Sequence, residues 1–174
     1  MKVKTSKKLG LKLIYPSTNF IDKRGRYLET FNRNKYKKII DKNFIEDDIC
    51  LNKKDVLRGI HGDYKTWKLI SCISGKCLSI IVNYDLKSKF YGHYEKFILS
   101  PENYFQVLIP PKHGNCFLTL SSYSVYHYKQ TNYYLGQKNQ FTLNIKDPFL
   151  NIKLPHKRKL IMSKRDINAK FIKN

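Results

Sequence analysis

Five histidines, His61, His93, His113, His127 and His156, are the side chains best suited to moving protons near neutral pH. Their neighbourhoods differ. His61 closes the run Val56-Leu57-Arg58-Gly59-Ile60-His61, and Lys68 follows closely. A histidine among apolar residues is commonly a core residue. Here, however, Arg58 has the planar fork that clamps phosphate, and Gly59 permits close backbone approach. A base beside an anion clamp has the make-up of a site. No His-x-His pair occurs anywhere, so a compact histidine and carboxylate metal centre is not expected. The four cysteines, Cys50, Cys72, Cys77 and Cys116, form no Cys-x-x-Cys pair. They read as reduced core thiols, although Cys72 and Cys77 flank Ser74-Gly75 and could face each other.

The elements that must carry these residues are mostly short runs bounded by turn residues. Lys68 to Ile73 and Cys77 to Tyr84, either side of Ser74-Gly75, read as a hairpin. Asn115 to Ser121 and Ser124 to Thr131 read as a second pair across Ser122-Tyr123. Tyr104 to Ile109 reads as a strand stopped by Pro110-Pro111. In Ser124 to Lys129, alternation puts Tyr126 and Tyr128 on one face, opposite Val125, His127 and Lys129. Two tyrosines on one face suit either a wet pocket or an amphipathic core. Asn34 to Lys42 looks helical, and a short helix after Ser163 would have that serine as its N-cap. The last thirty or so residues, with Pro148 and Pro155, read as extended segments. Many short strands with turn signals predict an all-β jelly roll, barrel or sandwich. With 174 residues, 41% hydrophobic and 14% aromatic, and no linker or repeat, the chain reads as one domain spanning 1–174.

The formal net charge of +21 invites a nucleic-acid reading. The basic runs are short, Lys7-Lys8, Lys53-Lys54 and Lys157-Arg158-Lys159, and no recognised nucleic-acid module accompanies them. A positive field also suits a pyrophosphate-bearing substrate. The N-terminal residues lack a long apolar run and no stretch approaches membrane-span length, so a cytoplasmic protein is expected.

Taken together, the motifs resemble the dTDP-4-dehydrorhamnose 3,5-epimerase family. Leu57 to His61 matches its Leu-Arg-Gly-Leu-His signature. Phe20, Asp22, Arg24, Gly25, Tyr27, Glu29 and Phe31 match, in register, Phe-x-Asp-x-Arg-Gly-x-Phe-x-Glu-x-Phe. Lys68-Leu69-Ile70, Gly75 and Ile80 to Asn83 follow its Lys-Leu-Val, Gly turn and Val-x-Val-Asp. Leu99-Ser100-Pro101-Glu102-Asn103, Ile109-Pro110, Asn115-Cys116-Phe117 and Leu120-Ser121 come next in the expected order. Tyr128-Lys129, Thr131, Tyr133-Tyr134, Asp147-Pro148, Leu154-Pro155 and Met162 to Asp166 complete it. The resemblance covers about residues 20–166; each piece is weak alone, but order and spacing together are specific.

The resemblance implies a jelly-roll cupin fold, a homodimer, no cofactor, and epimerisation beside the ketone of a nucleotide-linked 4-keto sugar. It makes His61 the general base and Asp166 the carboxylate that orients it. Tyr128 becomes the acid on the opposite sugar face, and Lys68 the ammonium near the developing enolate. Arg24 and Arg58 would hold the pyrophosphate. Tyr27 and Glu29 would meet the nucleotide base, often across a dimer interface, and Tyr134 and Asn115 would line the pocket. The family's His-Gly-Phe histidine falls on Asn115, its strand carboxylate on Asn83, a nearby Gln on Asp63 and a Trp on Ile145. These departures point to a substrate other than dTDP-4-dehydrorhamnose, such as a GDP-linked 4-keto-6-deoxy-heptose, and to inversion at C3 alone or at C3 and C5. Two other readings compete: a related cupin that moves the ketone between C3 and C4, and a non-catalytic nucleic-acid-binding protein.

Overall fold

A computed structural model of the chain describes residues 1–17, 19–155 and 159–172; His156, Lys157 and Arg158 lie outside them. The architecture follows from two long strands, β7 (Lys68–Asn83) and β10 (His113–Gln130), which pair antiparallel along their length. Each was expected to be two short strands around a turn. The residues that suggested turns instead make a bend. Gly75 has φ +74, and a Cβ there would meet the Tyr123 carbonyl oxygen at 2.1 Å. The pairing shifts register between Thr119 and Ser124, so residues 120–123 bulge opposite it. Neither strand reverses, because both halves of each already have a long-range partner.

The bend divides a nine-stranded sheet into two layers. In one, the first half of β7 pairs with β9 (Gln106–Ile109), which continues to β2 (Lys12–Tyr15) and β1 (Lys2–Thr5). The second half of β10 extends that layer through β5 (Glu46–Lys53). In the other, β8 (Tyr94–Leu99) pairs with the second half of β7. There the first half of β10 pairs with β6 (Leu57–Gly62), which is edged by β11 (Phe141–Thr142). Ile70, Cys72, Val107 and Tyr126 from the first layer meet Cys77, Ile81, Leu99 and Phe117 from the second in a shared core. Cys72 and Cys77 are reduced, with sulfurs 3.6 Å apart.

Two outer faces are covered separately. Leu143, Ile145 and Leu150 of the C-terminal segment pack on Leu57, Ile80 and Leu118. Ile14, Leu69 and Leu108 are covered by Tyr36 and Ile40. Tyr36 ends α1 (Arg33–Tyr36), shorter than the helix expected over 34–42. Its Asn32 cap holds one turn, and Ile39 and Ile40 both donate to the Tyr36 carbonyl as the chain turns onto the core. β9 likewise begins two residues after Tyr104, whose φ of 42 is incompatible with a strand. A separate hairpin, β3 (Asn19–Asp22) and β4 (Gly25–Leu28), stands apart from the main sheet. Among the described residues no helix is long and apolar enough to cross a membrane.

Candidate active site

Between the layers lies a cavity of about 910 Å³, lined by Arg58, His61, Lys68, Asn115, Tyr128, Tyr134 and Asp166 among others. His61 comes from β6 in one layer; Lys68 and Tyr128 come from β7 and β10 in the other.

The His61–Asp166 pair is assembled by the C-terminal segment. Val56 bridges Ile161, and Leu57 N–H donates to the Ile161 carbonyl at 2.9 Å. This pins the segment to β6 just before α2 (Lys164–Ile167). Ser163 caps α2 as expected, its hydroxyl oxygen accepting from the Asp166 N–H at 3.1 Å. The Asp166 carboxylate, 2% exposed, then lies 2.6 Å from His61 Nε2 and accepts from Gly59 N–H at 3.4 Å. Burial alone would raise the Asp166 carboxyl. The His61 hydrogen bond and charge, with Ser163 and Gly59, outweigh it and hold the group below its ordinary range. Gly59 is needed here: it has φ +107, and a Cβ would meet the Asn115 carbonyl oxygen at 2.5 Å. His61 Nδ1 makes no hydrogen bond among the described residues, so the ring has a nitrogen free for a ligand.

Lys68 is 6% exposed, and its nearest carboxylate, Asp63, is 3.9 Å away. Burial pushes its ammonium below the ordinary value against the pull of Asp63, and the charge of Arg165 adds to the shift. An under-compensated buried cation is costly to the fold and ready to meet an anionic oxygen. Burial also pushes the Tyr128 phenol well above its ordinary range, with Cys50 and Tyr126 reinforcing it. Tyr128 therefore keeps its proton at neutral pH, as an acid must. Arg58 donates through Nε to Asn52 Oδ1 at 2.6 Å, which orients its outer nitrogens.

The cavity also contains residues that sequence reasoning did not find. Asp48 and Cys50 come from β5, Gln130 from the end of β10, and Gln140 and Arg165 from the C-terminal part. Arg165 donates to Thr142 Oγ1 at 2.9 Å and Gln140 Oε1 at 3.2 Å, making it a third fixed cation beside Lys68 and Arg58. Its position next to Asp166 on a capped helix was the one available signal.

Three expected site residues are elsewhere. Arg24 and Tyr27 sit on the β3–β4 hairpin and Glu29 just after it, and none lines the cavity. The Arg24 side chain is 84% exposed and pairs with Asp22 at 2.6 Å. Glu29 pairs with Lys35 at 2.7 Å. Of the departing residues, Asn83 accepts from the Asp85 N–H in a turn, Ile145 is core, and Asp63 faces Lys68. His113 bonds the Pro111 carbonyl at 3.0 Å and does not line the cavity.

Comparison with known proteins gives a consistent result. A family model described as dTDP-4-dehydrorhamnose 3,5-epimerase matches residues 8–174. The enzyme of that name from Salmonella typhimurium is 30% identical over 165 residues, covering 92% of this chain and 90% of its own. A dTDP-4-dehydro-6-deoxyglucose 3-epimerase from a Streptomyces species is 26% identical over 153 residues, covering 85% of this chain and 78% of its own. Among solved structures, a Legionella pneumophila dTDP-6-deoxy-D-glucose-3,5-epimerase in complex with dTDP-4-keto-L-rhamnose gives a TM-score of 0.91 at 30% identity. That match covers 98% of this chain and 92% of the other.

Proposed function

The chain belongs to the dTDP-4-dehydrorhamnose 3,5-epimerase family, and from that premise we propose how its cavity inverts C3, or C3 and C5, of a nucleotide-linked 4-keto-6-deoxy sugar. The observation that carries the reading is the placement of a His61–Asp166 pair and a protonated Tyr128 on opposite layers of one cavity, with Lys68 in it. The C4 ketone acidifies the hydrogens on its neighbouring carbons. His61 takes one as a proton, and the electron pair left on carbon delocalises onto the C4 oxygen. Asp166 steadies the imidazolium. The Lys68 ammonium meets the enolate oxygen in a water-poor setting, where such a charge counts most. Tyr128 then returns a proton to the other face, and solvent resets both groups. Arg58 and Arg165 hold the pyrophosphate.

Asn115, in the cavity, and Asp63, facing Lys68, stand where the family has other side chains, which supports a sugar other than dTDP-4-dehydrorhamnose. A GDP-linked 4-keto-6-deoxy-heptose of capsule or lipopolysaccharide synthesis is our candidate. Arg24, Tyr27 and Glu29 would reach the nucleotide from a second copy. The hairpin bearing the first two also carries exposed apolar side chains, Phe20 at 67% and Ile21 at 65%, of the kind a homodimer covers. Four unpaired cysteines suit the cytoplasm, where nucleotide sugars are made.

The test is incubation in deuterium oxide with dTDP- and GDP-linked 4-keto-6-deoxy sugars, followed by NMR. Solvent deuterium at C3, with or without C5, and the ketone kept at C4 is the expected result. A product ketone at C3, or no exchange with any of them, would overturn the reading.

A further inference from the structure

Behind the cavity a chain of three polar groups crosses the core. Tyr126 belongs to one layer and is wholly buried. Its ring stacks on Phe117 of the other layer at 4.0 Å, with Tyr128 5.0 Å away. Its hydroxyl lies 3.0 Å from Ser79 Oγ, itself wholly buried, and 3.2 Å from Asn115 Oδ1. Asn115 is 6% exposed, lines the cavity and is the cross-strand partner of His61. Its amide nitrogen has no hydrogen-bond partner among the described residues.

The direction of this chain can be argued from its protons. If Ser79 donates to Tyr126 and Tyr126 to Asn115 Oδ1, every buried hydroxyl proton is used. Reversed, the amide would donate to Tyr126 and Tyr126 to Ser79. The Ser79 proton would then have no acceptor at a site that water does not reach. The first arrangement turns the amide NH2 group into the cavity. A carboxamide there is a donor that stays neutral at every working pH. Tyr126 keeps its own proton because burial raises its phenol well above the ordinary range.

We propose that Tyr126 and Ser79 are positioning residues, whose hydroxyls lock the Asn115 amide with its NH2 group facing the ligand oxygen beside His61. This deepens the epimerase reading and rests on it for the identity of that oxygen. Nothing in the resemblance assigned either residue a role. Tyr126, from the layer that carries the acid, joins Ser79 and Asn115, both on the layer that carries the base. It thereby ties the spacing of the two layers to the aim of a group beside the base.

Tyr126→Phe removes only the hydroxyl and keeps the stacked ring. Removing one donor at a reacting oxygen costs about 10²–10³-fold in kcat, and misaiming it costs less, about 10–100-fold. We expect that loss in Tyr126→Phe, with KM within about threefold, since neither the pyrophosphate clamp nor the nucleotide contact changes. Asn115→Ala, which removes the donor, should lose at least as much, and the double variant no more than Asn115→Ala alone. Asn115→Asp should be worse than Asn115→Ala, because an acceptor replaces the donor. A Tyr126→Phe enzyme at the wild-type rate, additive losses, or an active Asn115→Asp enzyme would each overturn the proposal. Should Tyr126→Phe fold poorly by near-ultraviolet circular dichroism, Ser79→Ala tests the relay from its far end. The side-chain amide signal of Asn115 in a 15N spectrum, identified by its loss in Asn115→Asp, provides a readout free of catalysis. It should move in both Tyr126→Phe and Ser79→Ala without ligand, and an unmoved signal would sink the relay. If the wild type exchanges no deuterium with any sugar, the functional reading fails while this spectrum still decides the relay.

Discussion

The cavity between the layers and the β3–β4 hairpin match the same family equally well by motif, yet they differ physically. In the cavity the matched residues are interlocked: His61 with Asp166 at 2.6 Å, Arg58 with Asn52 at 2.6 Å, Asn115 with Tyr126 at 3.2 Å. On the hairpin, Arg24 bonds only its neighbour Asp22 among the described residues, and Tyr27 is 66% exposed. The hairpin's tie to the body runs through Arg26, which lies over the Tyr104 ring and donates to the Pro101 carbonyl at 2.5 Å. One region is finished within a single chain. The other presents its groups outward. Under the proposed function, the proton chemistry would need one chain and recognition of the nucleotide would draw on a second.

The sharpest way to break this contrast is to remove the base. His61→Asn should lower epimerisation by about 10²–10⁴-fold, the usual contribution of a general base, with little change in KM. Steady-state assays would check it, and an active variant would dissolve the interior site. Next, Lys68→Met should lower kcat by about 10²–10³-fold through loss of enolate stabilisation. The same variant should melt no lower than the wild type, because it replaces a poorly paired buried cation with an apolar chain of similar length. A lower Tm with activity retained would show that Lys68 is structural.

The hairpin side of the contrast predicts a different signature. The Arg24→Ala, Tyr27→Ala variant should raise KM for the nucleotide sugar about tenfold, with kcat within about threefold and no measurable change in Tm. Exposed groups with no interior partner add little to folding, so on the proposed function their loss would show in binding. Unchanged KM would remove the hairpin from the site. The smallest effect concerns acid stability. The folded Asp166 carboxyl lies below its ordinary value of 3.8. Above that value the unfolded chain gains nothing from ionisation that the folded chain lacks, so the stabilisation is fully present. As pH falls through the lower, folded value it is lost. Urea titrations should therefore show a steeper acid-side decline for the wild type than for Asp166→Asn, and equal slopes would contradict the assignment.

That His61, Lys68, Tyr128 and Asp166 would come together in one cavity was legible because each sits in a short motif of the family resemblance, in fixed order along the chain. Ser163 as a cap was legible from local chemistry alone. The course of β7 and β10 was not. Gly75 and residues 122–123 have the composition of turns, and only pairing between strands far apart in sequence makes them a bend. Asp48, Gln130 and Arg165 also escaped notice. Asp48 and Gln130 reach the cavity through long-range register, Tyr128 opposite Asp48 and Gln130 opposite Lys68, which no local pattern encodes, while Arg165 is carried there by α2. The helix expected over 34–42 stopped early because Tyr36 and Ile40 are held by the sheet beneath them rather than by a helical face.

The central claim is that base and acid act from opposite layers, and Tyr128→Phe tests it most directly. In deuterium oxide this variant retains His61, so it should still label C3 with deuterium while returning the starting configuration, with inverted product reduced at least about a hundredfold. Inverted sugar formed at close to the wild-type rate would show that the second proton comes from elsewhere and would contradict the account.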